Sequence, residues 1–193
     1  MKLLNCVLIG VPIWYVVGIL LTFAPEFGKA FGMATAPTAG RAVMYGYIGL
    51  AIGDLSSGLV SQWLQSRRKA ILMFLGISTI GVALHLTLSH GSATPTMFYT
   101  TCVLMGIGVG YWAMFVQVAA EQFGTNIRST VTTSVPNFVR GATIPLTAAF
   151  QWGSPTYGVT MMAAILGLIT LAITLMSLKG LEESFHKDLD YHE

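Results

Sequence analysis

The sequence predicts an all-α integral membrane protein, folded as a single bundle of six transmembrane helices. Charged residues make up only 9% of the 193 residues and hydrophobic residues 54%, whereas an average soluble domain is roughly 25% charged. The apolar residues also fall into runs of about 20, the length that a helix needs to cross a bilayer. This composition excludes a soluble domain, and the net charge of +2 gives no reason to expect nucleic acid as a partner.

Six predicted spans occupy most of the chain, and most connections between them are short. The longest connection, residues 24–41, contains Pro25, Pro37 and several glycines, which is typical of a loop with room for a short interfacial helix. The tail, residues 179–193, is the only strongly charged segment. The predicted spans are residues 4–23, 42–64, 71–89, 97–119, 129–151 and 157–178.

The distribution of Lys and Arg predicts the orientation of these spans, because basic residues are enriched in cytoplasmic loops. With both termini in the cytoplasm, seven basic residues lie inside and only Lys29 and Arg41 lie outside. We therefore expect a multi-pass protein of the cytoplasmic (inner) membrane with a cytoplasmic tail. The seven inside residues are Lys2, Arg67, Arg68, Lys69, Arg128, Lys179 and Lys187.

Two charged residues, Asp54 and Arg140, lie deep inside predicted spans. A charge near the middle of a bilayer is costly, so such residues usually face protein or a water-filled cavity and mark a pathway. The residues at helical spacing around each of them are mostly small or polar, a stripe that a lipid-facing helix would not be expected to keep. These neighbours are Tyr47, Ala51, Ser57, Gly58 and Ser61 for Asp54, and Thr133, Asn137, Thr143, Thr147 and Gln151 for Arg140.

We expect the two stripes to line an aqueous cavity. In this interpretation Arg140 and Asn137 contact an anionic or hydroxyl-bearing substrate, and Asp54 either pairs with Arg140 or takes up a proton. The alternative is a buried ion pair that only orients two helices, or separate pairing of each residue elsewhere.

Aromatic residues are further candidates for substrate contact. Tyr111 and Trp112 lie near the middle of the fourth predicted span, and Trp14 lies in the first. Their rings are able to stack on a sugar or an aromatic substrate, although packing in the core is the alternative. The glycines at 106, 108 and 110 predict close contact between helices.

Prolines inside the predicted spans predict kinks. Pro136 and Pro145 lie in the fifth span and Pro12 in the first. Each removes one backbone hydrogen bond and bends its helix. Kinked spans can flex and can present free carbonyl groups to a cavity, as moving parts of transporters do.

The sequence contains no constellation typical of an enzyme: no HExxH, no serine in a GxSxG context and no phosphate-binding loop. Cys6 and Cys102 lie in apolar runs without CxxC spacing, so we expect buried thiols rather than a disulfide or a metal site. His85 is expected to be a solvated or core histidine. We expect neither an enzyme nor a cofactor.

Three stretches, in this order, resemble sequence signatures of one family of membrane proteins. Residues 58–71 resemble a cytoplasmic loop signature of a glycine, an acid and a basic cluster, with Gln62 where the acid is usual. Residues 120–141 resemble a second signature, in which an acidic residue is followed by an arginine. Residues 181–189 resemble the charged segment that follows the last helix in members of this family. The chain is thus similar to the C-terminal six-helix half of a major facilitator superfamily (MFS) transporter, of the sugar- or metabolite:proton type.

The resemblance implies half of a transporter that carries a cytoplasmic gate. Family members enclose a midplane site between two six-helix halves and transport by rocking one half against the other. The resemblance therefore implies a homodimer or a separate N-terminal transporter half as partner, or else a truncated product. The gate residues that it implies are Gly58, Gln62, Arg67, Arg68, Glu121 and Arg128.

We therefore expect a half or subunit of a secondary active transporter that moves a small organic solute, sugar-like or an organic acid. Proton coupling through Asp54 is one option. The alternative is a non-transporting membrane protein, such as a receptor, an assembly factor or an inactive truncated half.

Overall fold

The computed structural model describes residues 2–89 and 93–186, which form helices joined by short connections, with no strand among them. The end of the predicted tail signature, with Lys187, lies outside the described residues. The helices are α1 (Lys2–Leu8), α2 (Val11–Tyr15), a π-helical segment (Val16–Leu21), α3 (Ala24–Ala30), α4 (Ala39–Leu64), α5 (Arg67–Leu86), a 3-10 turn (Thr87–Ser89), α6 (Pro95–Val109), α7 (Trp112–Glu121), α8 (Thr125–Gly141), α9 (Thr143–Tyr157) and α10 (Val159–Lys179).

Five helical segments of the described chain are long and apolar enough to cross a membrane. Each agrees with one predicted span to within a few residues at either end. The all-α prediction is confirmed, and the long apolar helices indicate a multi-pass membrane protein. The five segments are Lys2–Leu21, Ala39–Leu64, Arg67–Leu86, Pro95–Glu121 and Val159–Lys179.

The fifth predicted span, residues 129–151, is not among these five segments, because the structure divides it between α8 and α9. Helix α8 continues through Pro136 and ends at Gly141. Pro145 then lies in the first turn of α9, where a missing N–H group needs no partner within the helix. The structure therefore places a helix boundary one turn before Pro145, and it does not establish six spans.

Helices α4 and α6 pack with their backbones in contact, and glycines make this approach possible. A Cβ atom on Gly106 would lie 2.1 Å from the carbonyl oxygen of Gly46. Gly108 approaches α5 in the same way, because a Cβ atom there would lie 2.3 Å from the backbone nitrogen of Ser78. The predicted role of these glycines in close helix packing is confirmed.

The first span is interrupted near Pro12. Because Pro12 has no N–H group for the carbonyl of Leu8, that carbonyl accepts a hydrogen bond from the Thr174 hydroxyl of α10 instead, at 3.0 Å. The neighbouring carbonyl of Ile9 accepts a hydrogen bond from the Tyr111 hydroxyl, also at 3.0 Å. Side chains from two other spans thus complete the backbone hydrogen bonding of the first.

The long connection after the first span contains a short helix, α3, as the sequence allowed. Its Phe27, together with Phe31, packs against the ring of His85, which is fully buried. His85 is therefore a core histidine. The thiols of Cys6 and Cys102 are buried and unpaired, as predicted.

Candidate functional site

The fourth span is broken near its middle, between α6 and α7. Gly110 and Tyr111 leave the helical conformation, and α7 begins at Trp112 without a cap from the side chain of Tyr111. The carboxylate of Asp54 on α4 caps it instead: Oδ1 accepts a hydrogen bond from the backbone N–H of Ala113 at 3.0 Å, and the N–H of Trp112 is a second donor. A helix N-terminus exposes unpaired N–H groups and a partial positive charge. Asp54 therefore satisfies the groups that the break exposes.

Arg140, near the end of α8, reaches the same break. Its guanidinium carbon lies 5.5 Å from the centroid of the Trp112 ring, within the range of a cation–π interaction. Among the described residues, no ion pair joins Asp54 and Arg140. The Asp54 carboxylate accepts a hydrogen bond from the backbone N–H of Ala113 instead. Trp112 contacts both charged residues: its backbone N–H group bonds to Asp54, and its ring lies against the Arg140 guanidinium.

Trp14 from the first span completes this group. Its ring meets that of Trp112 edge to face, with centroids 6.1 Å apart. The buried Nε1 of Trp14 has no hydrogen-bond partner among the described residues. A buried donor without a partner calls for an explanation, and an absent ligand or water is one. We call Asp54, Trp112, Arg140 and Trp14 the midplane cluster.

The name refers to the depth of the cluster. Trp112 and Glu121 are the first and last of the ten residues of α7, so a rise of about 14 Å separates them. This is roughly half of the 30 Å thickness of a bilayer's hydrocarbon core. With the end of α7 at the membrane surface, this length places the cluster near the middle of the bilayer, where a charged side chain is most costly.

Two further predicted substrate residues lie near the midplane cluster but bond within the protein. Tyr111 is fully buried, and its hydroxyl donates a hydrogen bond to the carbonyl oxygen of Ile9. Asn137 is exposed and donates its side-chain amide to the carbonyl of Thr133 in its own helix, at 2.9 Å. It lies about one turn before Arg140 and so shares a face of α8 with it.

The midplane cluster reaches the surface of the chain. Arg140 is exposed, and Asp54 and Trp112 are half-buried. The same surface carries small and polar side chains that the sequence stripes predicted. Exposed among them are Tyr47, Ala51, Thr133 and Asn137.

A cavity of about 250 Å³ lies elsewhere, between α2, α5 and α10. Its lining is almost entirely apolar and includes none of the midplane cluster. The Tyr15 hydroxyl at its wall donates to the carbonyl of Ala163 at 2.7 Å, and the Thr79 hydroxyl donates to the carbonyl of Leu75 at 2.8 Å. We therefore place the candidate site at the midplane cluster, where donors are left unused.

A second polar group lies where α7 ends and α5 begins. Arg67 Nη2 and Glu121 Oε1 form an ion pair at 3.1 Å, and both side chains are largely buried. Glu121 also accepts hydrogen bonds from Gln117 at 2.9 Å and from the Ser184 hydroxyl at 2.6 Å. Arg67 donates in addition to the Ser61 hydroxyl at 2.9 Å. We call these five residues the ion-pair end.

The tail is fastened to the ion-pair end by Glu183. Its carboxylate accepts hydrogen bonds from the backbone N–H groups of Arg67, at 2.8 Å, and of Arg68, at 3.3 Å, and from the Ser66 hydroxyl. Partial burial raises the pKa of the Glu183 carboxyl, but these hydrogen bonds more than offset it, so the pKa lies below its ordinary value. Glu183 is thus held as a carboxylate that caps the N-terminus of α5.

The remaining predicted gate residues lie around the ion-pair end. The Arg128 guanidinium donates to the carbonyls of Ala120 and Phe123, both at 3.2 Å, at the C-terminal end of α7. Gly58 has open space where a Cβ atom would lie, and Gln62 is exposed. Among the described contacts, the Gln62 side chain forms no hydrogen bond with the ion-pair end.

Glu183 and Ser184 are site residues that the sequence did not predict. The available signal was Ser66 directly before the basic start of α5, a typical N-cap, with acidic residues following the last helix. Neither pattern shows that the tail folds back to α5, because that contact joins residues more than 100 positions apart.

No model of a known protein family matches this sequence, and no curated protein matches it either.

Proposed function

We propose that this chain is one half of a secondary active transporter that moves a small organic solute, sugar-like or an organic acid, across a cytoplasmic membrane. The observation that carries the proposal is the midplane cluster. Asp54 and Arg140 meet at Trp112, where Asp54 and Trp112 lie well inside two segments of membrane length and Arg140 reaches them from the end of α8. Charged residues at this depth usually mark the pathway of a solute or an ion.

Helix breaks at the cluster support the same proposal. The fourth span is broken before Trp112, and α8 ends at Gly141, directly after Arg140. Transporter sites are typically formed by discontinuous helices, whose ends face the solute and whose halves can move. Two helix breaks beside Asp54 and Arg140 are more readily explained by a moving transporter than by a membrane protein with a purely structural role.

The exposed polar surface around the cluster supports a half-transporter of the MFS type. Arg140 and Asn137 are exposed, although lipid offers no hydrogen bonds to such groups. A second copy of the chain, or a separate N-terminal half, would cover this surface and enclose water and solute against it. Alternating access would then be the movement of one half against the other.

In this proposal the ion-pair end is the cytoplasmic gate. The Arg67–Glu121 pair ties α5 to α7, and Glu183 ties the tail to α5. These contacts hold one end of the bundle together. Opening toward the cytoplasm would require them to part.

Uptake into vesicles tests the proposal. The purified chain is reconstituted alone and with a candidate N-terminal half, and uptake of labelled glucose, lactate and succinate is measured. We expect uptake of at least one solute, and a loss of at least tenfold in Arg140→Gln. Arg41→Gln, which changes an exposed arginine at the start of α4, is the matched control and should keep wild-type uptake.

The opposite result would favour a non-transporting membrane protein. If neither preparation takes up any of the three solutes, while the protein is inserted and as stable as it is in detergent, transport of this solute class is contradicted. Equal uptake by Arg140→Gln and wild type would remove the midplane cluster from the pathway.

A further inference from the structure

The charge balance of the midplane cluster indicates the chemical class of its solute. Asp54 is the acid of the midplane cluster, and its carboxylate accepts a hydrogen bond from the N-terminus of α7. There it balances the partial positive charge of the helix end. Glu121, the next acid along α7, is paired with Arg67. The Arg140 cation is thus left without an anion among the described residues.

The unused hydrogen-bonding groups of the cluster are donors. The Arg140 guanidinium offers five N–H groups, and the described contacts give it a ring but no acceptor. The buried Nε1 of Trp14 is also a donor without a partner. A matching ligand must therefore present acceptors, and its charge must be negative because the membrane interior disfavours an unbalanced cation.

The structure assigns this site to an organic anion whose carboxylate pairs with Arg140, an inference that rests on the proposed function. A carboxylate presents two oxygens that match the planar fork of a guanidinium. The Trp112 ring, 5.5 Å from the guanidinium carbon, holds that fork in place. A neutral sugar would leave the Arg140 cation unbalanced.

Tryptophan fluorescence provides a binding assay that does not depend on transport. Trp63 and Trp152 are both 82% exposed and lie outside the cluster. In the full chain carrying Trp63→Phe and Trp152→Phe, the remaining signal comes from Trp14 and Trp112. The probes are lactate and succinate, with lactamide and glucose as neutral counterparts at equal ionic strength.

We expect lactate or succinate to change the fluorescence saturably, and lactamide and glucose to leave it unchanged. Arg140→Gln should weaken carboxylate binding at least tenfold, whereas Arg41→Gln should leave it unaltered. Arg140→Lys keeps the charge but loses the planar fork, so its affinity should lie between those of Arg140→Gln and the parent. Helical content and elution profile confirm that each variant is folded.

Three results would overturn the inference: no response to either carboxylate, equal binding of lactamide and lactate, or carboxylate binding that survives Arg140→Gln in a folded protein. The proposed function fails separately. Carboxylate binding without uptake into vesicles would retain the inference and contradict transport, whereas glucose uptake without carboxylate binding would do the reverse.

Discussion

At the scale of single residues, Asp54 shows how two costly features of a membrane protein offset each other. The break between α6 and α7 exposes backbone N–H groups, and an unsatisfied polar group in lipid costs several kcal/mol. A carboxylate at the same depth is also costly. The carboxylate of Asp54, on α4, lies at the start of α7 and accepts a hydrogen bond from the N–H group of Ala113 at 3.0 Å. The charge is therefore part of the architecture, whether or not it also binds a proton.

Substitutions at Asp54 separate its charge from its role as a cap. Asp54→Asn keeps an oxygen that accepts the Ala113 hydrogen bond, so we expect a loss of unfolding free energy of at most about 1 kcal/mol. Asp54→Leu removes the acceptor and leaves the N–H group of Ala113 at the start of α7 without its partner, so we expect a loss of about 1–3 kcal/mol. The free energy of unfolding in mixed detergent micelles measures both.

The control for this pair is Leu59→Ala on the same helix, where the side chain is 68% exposed and packs little. Its effect should be small. Equal stability of Asp54→Leu and wild type would show that the cap contributes nothing to α7.

At the scale of helices, the sequence predicts five spans well because hydropathy and length determine them. It does not predict the break before Trp112, because residues 97–119 remain apolar across it and membrane helices often carry glycines for packing alone. The sequence also does not predict the hydrogen-bond partner of Asp54, because that partner is a backbone N–H group and every residue except proline has one. The deep charges could be found, but which groups they contact could not.

At Pro12, which interrupts the first span, the structure shows how the lost backbone hydrogen bond is replaced. It frees the carbonyl of Leu8, and Thr174 on α10 binds that carbonyl. Thr174→Val should therefore destabilise the chain by about 1–2 kcal/mol. In a Pro12→Ala background the new N–H group can bind Leu8 itself, so the same substitution should cost less than half as much.

A double-mutant cycle on unfolding free energy measures this coupling. Thr170→Val is the matched control, because the Thr170 hydroxyl is buried on the same helix but donates to Gly167 of that helix. Its cost should be equal in both backgrounds. The same cost for Thr174→Val with and without Pro12 would contradict the assignment.

At the scale of the whole molecule, the two sides of α4 present different surfaces. Gly49 and Gly53 pack on α6, and Leu55 and Leu59 are exposed and apolar, as a lipid-facing surface requires. Between these faces runs the stripe that contains Ala51 and Asp54. If a second half encloses a cavity, this stripe meets water although it lies deep in the bilayer. If the chain stands alone, lipid covers it.

Cysteine accessibility in intact membranes distinguishes these two cases. Ala51 and Ile52 are neighbours at nearly the same depth and are both exposed, but helical geometry turns them about 100° apart. A cysteine at Ala51 should react with a water-soluble maleimide, because the stripe faces a hydrated cavity in which a thiolate can form. A cysteine at Ile52 should react at least tenfold more slowly, because it faces lipid, where the charged thiolate is disfavoured. The native Cys6 and Cys102 are buried and serve as an internal control that should stay unlabelled. Equal, slow labelling at both positions would mean that lipid covers the stripe, and an enclosed pathway along Asp54 would then be excluded.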